Sequence, residues 1–151
     1  MILTPVYNIH NGIDTSYIYI WLSKSQTVIY IGMTNNSVGP LGRAQGHFNS
    51  NGTLRKRFVQ QRGFGTEKIM DMILLSFPLP QKREFTGLES SYRESVEYLV
   101  MKELLLNKGK LIPNYDIISW HDRTPTRTMN TEVKNIAKTI AANFVAIYPT
   151  L

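Results

Sequence analysis

Cysteine is absent from this chain of 151 residues, and acidic residues are few. The absence of cysteine excludes disulfide bonds and zinc sites built from thiolates. No apolar run approaches the roughly 20 residues that a membrane-spanning helix needs, so we expect no membrane partner. Internal repeats and low-complexity tracts are also missing. What remains fits one domain, large enough to bury a core, with at most a small extension.

The scarcity of acids leaves a positive balance, because 17 Lys and Arg residues oppose 11 Asp and Glu residues and give a formal charge of +6. Such a balance suits a polyanion such as nucleic acid or an anionic membrane surface. The surplus is concentrated between residues 43 and 68, where Glu67 is the only acid. We expect this segment to follow a DNA backbone, and a merely solvated face is the alternative. The basic residues concerned are Arg43, Arg55, Lys56, Arg57, Arg62 and Lys68.

Two short runs, at 17–22 and 27–32, are rich in β-branched and aromatic residues and alternate with period 2. They predict a β-hairpin with a four-residue loop, in a register that pairs Tyr19 with Tyr30. The isoleucines of both strands then share one face, which we expect to be the core face. The other face carries the two phenol hydroxyls side by side. An aromatic pair that only stabilises the hairpin is the alternative interpretation.

A helix is predicted to follow the hairpin, with Gly39 as N-cap and Pro40 in its first turn. Arg43 and His47 are four residues apart, so both project from one face of this helix. Arginine offers a fixed fork of donors to phosphate oxygens, and histidine can move a proton near neutral pH. A phosphate site is one interpretation of this face, and a solvated arginine beside a surface histidine is the other.

The rest of the chain predicts one more main strand and three more helices. The strand, at 68–77, is apolar on both faces and is therefore expected to be central or well covered. Helices are predicted at 54–62, from a capping box at Thr86 to about residue 107, and at 131–145. Thr131 or Asn130 is the expected N-cap of the last helix. A weaker pattern at 6–9 allows another short strand.

The predicted fold is a small α/β (α+β) domain in which helices flank a three-stranded, mostly antiparallel sheet. Residues 1–118 are expected to form this domain. Residues 119–151 would form a linker and a C-terminal helix, packed on the same domain or on a partner subunit.

Three parts of the chain together resemble the GIY-YIG nuclease family. The hairpin is similar to the two signature strands of that family, and the next helix has its Arg-x3-His pattern. A later helix resembles the one that carries the catalytic glutamate. The resemblance covers residues 16–118 and depends on the ordered set rather than on any one piece. The residues that carry it are Tyr19, Tyr30, Ile31, Gly32, Arg43, His47 and Glu97.

This resemblance implies a metal-dependent endonuclease that hydrolyses phosphodiester bonds of double-stranded DNA. Glu97 would hold one Mg²⁺ (or Mn²⁺) per site. Arg43 would bind the scissile phosphate and offset its developing charge. Tyr19 would lie beside the attacking water and accept its proton, with or without His47. Tyr30 would shape the site through hydrogen bonds.

Glu97 lies at the edge of the buried face of its predicted helix, where an unpaired carboxylate would be costly. A divalent metal would compensate for that cost, and a salt bridge to Arg93 or Arg43 is the alternative. Glu94 and Glu103 are competing candidates for the catalytic acid. Spacing and the family pattern favour Glu97.

The chain departs from the family pattern at two points. Tyr17 stands where the family usually has glycine, and Asp116 stands where many members have asparagine, with Asn114 just before it. Asn114 and Asp116 are therefore uncertain site residues. The departures keep open a DNA-binding module without catalysis, and a basic protein-interaction domain is a further alternative. His121 and Asp122 are interpreted as parts of a polar loop, because adjacent residues rarely aim at one point.

The short C-terminal region leaves little room for a separate specificity domain. We therefore expect a compact restriction-type, phage-encoded or repair-type nuclease, in the cytoplasm, rather than a long-site homing enzyme. Cutting both strands with one site per chain would favour a homo-oligomer.

Overall fold

A computed structural model describes residues 15–111 and 114–151. The strand suggested at 6–9 lies outside the described residues. The strands are β1 (Tyr17–Ser23), β2 (Val28–Thr34), β3 (Met72–Pro78) and β4 (Asp116–Ile117). The helices are α1 (Gly39–Phe48), α2 (Thr53–Arg62), α3 (Arg83–Thr86), α4 (Ser91–Leu106) and α5 (Thr131–Ile147). Single 3₁₀ turns occur at Thr66–Lys68, Lys108–Lys110 and Tyr148–Thr150.

The strands form one mixed sheet in the order β3-β1-β2-β4. β1 pairs antiparallel with both of its neighbours, and β4 runs parallel to β2. The predicted α/β architecture is confirmed, with one strand more than expected. β4 was not predicted because two residues are too few to show an alternating pattern.

β3 lies at an edge of the sheet, so of the two predicted alternatives the central position is wrong and the well-covered strand remains. Both of its faces are apolar because helices cover both faces of the sheet. Leu75 and Phe77 pack toward one core, and Leu74 packs toward the other. Pro78 ends the strand, as suits an edge, because proline cannot donate a ladder hydrogen bond. β3 also begins later than predicted, because Thr66–Lys68 form a 3₁₀ turn.

The hairpin register differs by two residues from the prediction. Tyr19 faces Gly32 rather than Tyr30, and Tyr17 faces Thr34. The loop still has four residues, but it occupies 24–27 and ends at Thr27 with a positive φ of 50°. A shift of two keeps every side chain on its predicted face, since the side-chain period of a strand is two.

Helices bury both faces of this sheet. The isoleucine face packs against α4 and α5, so its prediction as a core face is confirmed. The phenol face is also a core face, covered by Ala44 of α1 and by Leu54 and Phe58 of α2. Tyr19 is 2% exposed and Tyr30 is 4% exposed, so their rings are structural as well as candidates for chemistry.

The predicted start of the long helix at Thr86 is wrong. Thr86 is the last residue of the short α3, the helical conformation is interrupted at Gly87, and α4 begins only after Ser90. Arg93 is 2% exposed and explains the break. Its guanidinium donates hydrogen bonds to the carbonyl oxygens of Phe85 and Gly87, the latter at 2.8 Å. These buried hydrogen bonds fix the corner at Gly87 relative to α4, and Arg93 itself lies one helical turn before Glu97.

The last helix begins as predicted at Asn130, whose side-chain oxygen accepts a hydrogen bond from the backbone N–H of Val133 at 3.1 Å. Val133, Ile140 and Phe144 lie on its buried face, and α5 packs against α4 of the same chain. None of the helices in the described residues is long and apolar enough to cross a membrane.

Candidate active site

The phenol ring of Tyr19 lies across Gly32 on the neighbouring strand. A Cβ atom added to Gly32 would overlap the ring. The absence of a side chain therefore opens the groove that lets the phenol reach α1, where its oxygen lies 2.5 Å from Nε2 of His47. The backbone at Gly32 is not left-handed, so its conformation alone does not require glycine. Glycine is needed here because the Tyr19 ring occupies the space that a side chain would fill.

Replacing Gly32 with alanine is expected to destabilise the fold by about 2 kcal/mol, because the methyl group would displace the Tyr19 ring. Chemical denaturation measures the change. Gly46→Ala is the matched control: Gly46 lies in α1 with nothing within 4 Å of an added Cβ, so alanine should stabilise by about 1 kcal/mol. Equal effects of the two substitutions would contradict the packing account.

His47 is fixed by hydrogen bonds on both ring nitrogens. The backbone N–H of Leu54, at the start of α2, donates to Nδ1 at 3.4 Å. Burial first, and then the charges of Arg43 and Arg57, lower the pKa of His47 to about 4. The neutral ring must then carry its proton on Nε2, which donates to the oxygen of Tyr19. His47 is thus a donor to Tyr19 in this arrangement.

The Tyr19 oxygen receives a second, longer hydrogen bond from Nε of Arg43, at 3.4 Å. Burial raises the pKa of Tyr19 above its usual value, and the neighbouring Tyr30 raises it further, while Arg43 lowers it. The phenol is therefore neutral here. Because two groups already donate hydrogen bonds to this oxygen, the phenol proton can point in another direction. Loss of that proton would leave a phenolate whose negative charge both donors stabilise.

A second arginine lies beside these phenols. The Arg57 guanidinium lies 3.9 Å from the centre of the Trp120 ring and 5.5 Å from that of Tyr30. It also donates to the Trp120 carbonyl oxygen at 3.1 Å. The sequence interpretation had treated Arg57 only as part of a DNA-contacting segment, because nothing local distinguishes it from its basic neighbours. The tertiary contact with Trp120 distinguishes it.

The Glu97 carboxyl projects from α4 with its side chain only 14% exposed. Burial raises its pKa to about 8, with Arg57 and Arg43 opposing the shift and Glu94 adding to it. Charge interactions also link Glu97 to Tyr19.

The nearest basic group to Glu97 is a residue that sequence reasoning had assigned to a polar loop. Nε2 of His121 lies 3.5 Å from Oε1 of Glu97. Neither of the predicted salt-bridge partners takes this place, because Arg93 is bound to backbone carbonyls and Arg43 acts only as a nearby charge. No local motif marks His121. Only its position shortly after the last strand could have suggested it.

The comparison with protein families agrees with this geometry. A family model described as the GIY-YIG catalytic domain matches residues 15–97, which is more than half of the chain. The chain belongs to the GIY-YIG family. This family is one of nucleases, so the domain is a nuclease domain. No curated protein and no solved structure matches the chain.

The basic segment of this GIY-YIG domain is less free than its composition indicates. Arg55 forms two hydrogen bonds with Glu67, at 3.1 and 3.2 Å. Arg62 pairs with Asp116 of β4 at 2.8 Å, an acid from outside the segment. Such exposed pairs contribute about 0–1 kcal/mol each and can be exchanged for phosphate contacts. The two lysines, Lys56 and Lys68, are exposed.

The two uncertain residues after α4 are both exposed. The Asp116 side chain is 52% exposed and is held by Arg62. Asn114 is exposed before β4. Of the competing acids, Glu94 accepts a hydrogen bond from Ser90 at 2.5 Å, beside the start of α4. Glu94 also lines a cavity with Trp120 and His121, whereas Glu97 is the acid whose oxygen lies 3.5 Å from the His121 ring.

The fit of a metal ion to the GIY-YIG site depends on Glu97. Among residues 15–111 and 114–151, no three His, Asp or Glu side chains form a ready-made metal cluster. A buried carboxylate whose nearest basic group is an imidazole still needs a cation when it ionises. Mg²⁺ commonly takes one or two carboxylates and completes its shell with water and phosphate oxygens. The site therefore fits one ion held jointly by Glu97 and a bound phosphate.

Proposed function

We propose that this protein is a divalent-metal-dependent endonuclease that hydrolyses phosphodiester bonds of double-stranded DNA, with one Mg²⁺ or Mn²⁺ per site. The observation that best supports the proposal is a series of contacts. Arg43 donates to the Tyr19 oxygen at 3.4 Å, and Arg57 lies 5.5 Å from the Tyr30 ring and 3.9 Å from Trp120, whose neighbour His121 lies 3.5 Å from Glu97. Tyr19, Tyr30, Arg43, Arg57 and Glu97 come from five separate elements, β1, β2, α1, α2 and α4. Two phenols, two guanidinium groups and one carboxyl suit a phosphate that must be bound and attacked.

Arg43 would bind the scissile phosphate. It lies on an exposed part of α1, and only its Nε is used, weakly, in a bond to Tyr19. Its remaining donors can form a bidentate contact with phosphate oxygens and offset the charge that grows during attack. Arg57 would add a second positive charge, 5.5 Å from the centre of the Tyr30 ring.

Tyr19 would lose its own proton to solvent once the substrate is bound, and the resulting phenolate would position the attacking water and accept its proton. His47 would act as a positioning residue, because its Nε2–H donates to the Tyr19 oxygen and stabilises negative charge there. The raised pKa of Tyr19 means that the free protein holds a phenol, so substrate binding must supply the extra positive field. Tyr30 would orient Tyr19 through their stacked rings, whose centres are 6.4 Å apart.

Glu97 would hold the metal ion. When bound, such an ion neutralises charge on the phosphate and stabilises the departing oxygen. Burial keeps the Glu97 carboxyl in a water-poor setting, where its charge interacts strongly with a cation. The loop after β4 supplies Trp120 and His121 to the same site, so we include residues 119–151 in the functional unit.

The test is to incubate the purified full chain with supercoiled plasmid, linear duplex and branched duplex, in Mg²⁺, Mn²⁺ or EDTA. Nicked or linear products that appear only with metal are expected. Binding should weaken steeply with salt, in proportion to the phosphates contacted. Salt-sensitive binding without cleavage in either metal would indicate a DNA-binding module instead. Absence of salt-sensitive binding would indicate a protein-interaction domain.

A further inference from the structure

We infer that His121 is a second protein ligand of the metal, so that Glu97 and His121 form a carboxylate–imidazole site that prefers Mn²⁺ or Co²⁺ to Mg²⁺. This inference rests on the proposed function, because the ion in question is the one used for cleavage. It goes beyond that function by assigning a ligand outside the residues matched by the family model, which end at 97.

The distance between the two groups suits one shared ion. Oε1 of Glu97 and Nε2 of His121 are 3.5 Å apart. Two atoms that bind the same ion at about 2.1 Å each can be at most about 4.2 Å apart. Nε2 of His121 is buried and makes no hydrogen bond with any residue that the structure describes. A buried polar atom without a partner usually costs about 1–3 kcal/mol, and a bound ion would remove that cost.

The imidazole is held in place by the fold rather than by a loose loop. Two residues earlier, the Ser119 hydroxyl accepts from the backbone N–H of Ile31 at 2.5 Å and donates to the Ile31 carbonyl at 2.8 Å. The His121 ring packs edge-on against Tyr98, with ring centres 5.5 Å apart. Tyr98 follows Glu97 directly on α4, so this packing fixes the His121 ring relative to the helix that carries Glu97.

The chemistry of the pair sets the expected metal preference. Imidazole nitrogen binds Mn²⁺ and the later transition ions, whereas Mg²⁺ favours oxygen ligands and water. Affinity should therefore rise from Mg²⁺ to Mn²⁺ to Co²⁺, and the size of the preference for Mn²⁺ and Co²⁺ over Mg²⁺ should depend on residue 121. A histidine that only donated a hydrogen bond to Glu97 would support all three ions equally.

The experiment measures metal binding to the full chain without DNA. Free Mn²⁺ is followed by electron paramagnetic resonance, and Co²⁺ and Mg²⁺ are measured by competition. We expect His121→Asn to weaken Mn²⁺ and Co²⁺ binding at least ~10-fold, with Mg²⁺ changed less than about threefold. Asp122→Asn, which alters the exposed neighbouring acid, should match the wild type. Thermal unfolding without metal verifies that each variant is folded.

Two outcomes would overturn the inference. One is a His121→Asn variant that binds Mn²⁺ as tightly as the wild type, and the other is an equal loss for all three ions. If the wild type still cleaves DNA with metal, the proposed function survives either outcome. Failure of the proposed function would be distinct, since Glu97→Gln would then leave metal binding unchanged or the wild type would not cleave DNA at all.

Discussion

Glu97→Gln is expected to lower the rate of DNA cleavage at saturating Mg²⁺ by about 10³-fold or more, while DNA affinity changes less than about threefold. Glutamine keeps the shape of the side chain but cannot hold a divalent ion as a carboxylate does. We expect the DNA contacts to come from arginines on α1 and α2, so binding should survive. Single-turnover cleavage and a binding titration at fixed salt measure the two quantities.

Glu103→Gln is the matched control, because Glu103 lies on the same helix and is one of the two competing candidates. It should cleave DNA at close to the wild-type rate. A large loss in Glu103→Gln with little loss in Glu97→Gln would contradict the assignment of the metal ligand.

The same Glu97→Gln variant should be at least as stable as the wild type, and the difference should grow with pH. Burial raises the pKa of Glu97 to about 8, above its value of 4.5 in the unfolded chain. The folded state therefore retains a proton that the unfolded state releases, and stability contributed by this group is lost as pH rises toward and through 8. Glutamine does not titrate. The Tm of the variant relative to the wild type should be higher at pH 9 than at pH 6, so lost cleavage cannot be attributed to unfolding.

The two faces of the hairpin could be predicted from alternation, but its register could not. A two-residue shift leaves the alternating pattern unchanged, so periodicity cannot distinguish the pairing of Tyr19 with Tyr30 from its pairing with Gly32. The space that Gly32 leaves for the Tyr19 ring determines the register. A bulky aromatic beside a strand glycine was the one available signal for this register.

Arg57 and His121 show why parts of a site escape prediction. Arg57 shares its helix with other basic residues, and its role emerges only from the Trp120 ring that covers it. His121 lies among polar loop residues, and only the Ser119 hydrogen bonds to β2 bring it to Glu97. Both depend on contacts between distant parts of the chain, whereas the spacing of Arg43 and His47 on one helix is local.

The prediction of where the long helix begins was wrong for a related reason. A capping pattern at Thr86 was a sound local signal, yet the buried Arg93 binds the carbonyls of Phe85 and Gly87 and holds a corner there. Hydrogen bonds from a buried guanidinium outweigh a single cap, which contributes about 1 kcal/mol. Asn130 faces no such competition and caps α5 as predicted.

Arg43→Ala is expected to reduce cleavage by about 10²–10³-fold, because removing one charged donor from a phosphate in the transition state costs that much in comparable sites. Arg43→Lys should recover only part of the loss, since lysine cannot form the bidentate contact. Added guanidinium ion should partly restore cleavage in Arg43→Ala and should not affect the wild type. Single-turnover rates with and without guanidinium measure these effects.

Arg55→Ala separates this role from general attraction of DNA. Arg55 carries the same charge but is paired with Glu67, on a neighbouring part of the basic surface. Its removal should weaken binding and reduce the salt dependence slightly, with the rate at saturating DNA nearly unchanged. Equal rate losses in Arg43→Ala and Arg55→Ala would mean that Arg43 acts only through the general positive charge of the basic surface. A loss confined to Arg43→Ala, with guanidinium rescue, would mean that the group beside Tyr19 contacts the reacting phosphate.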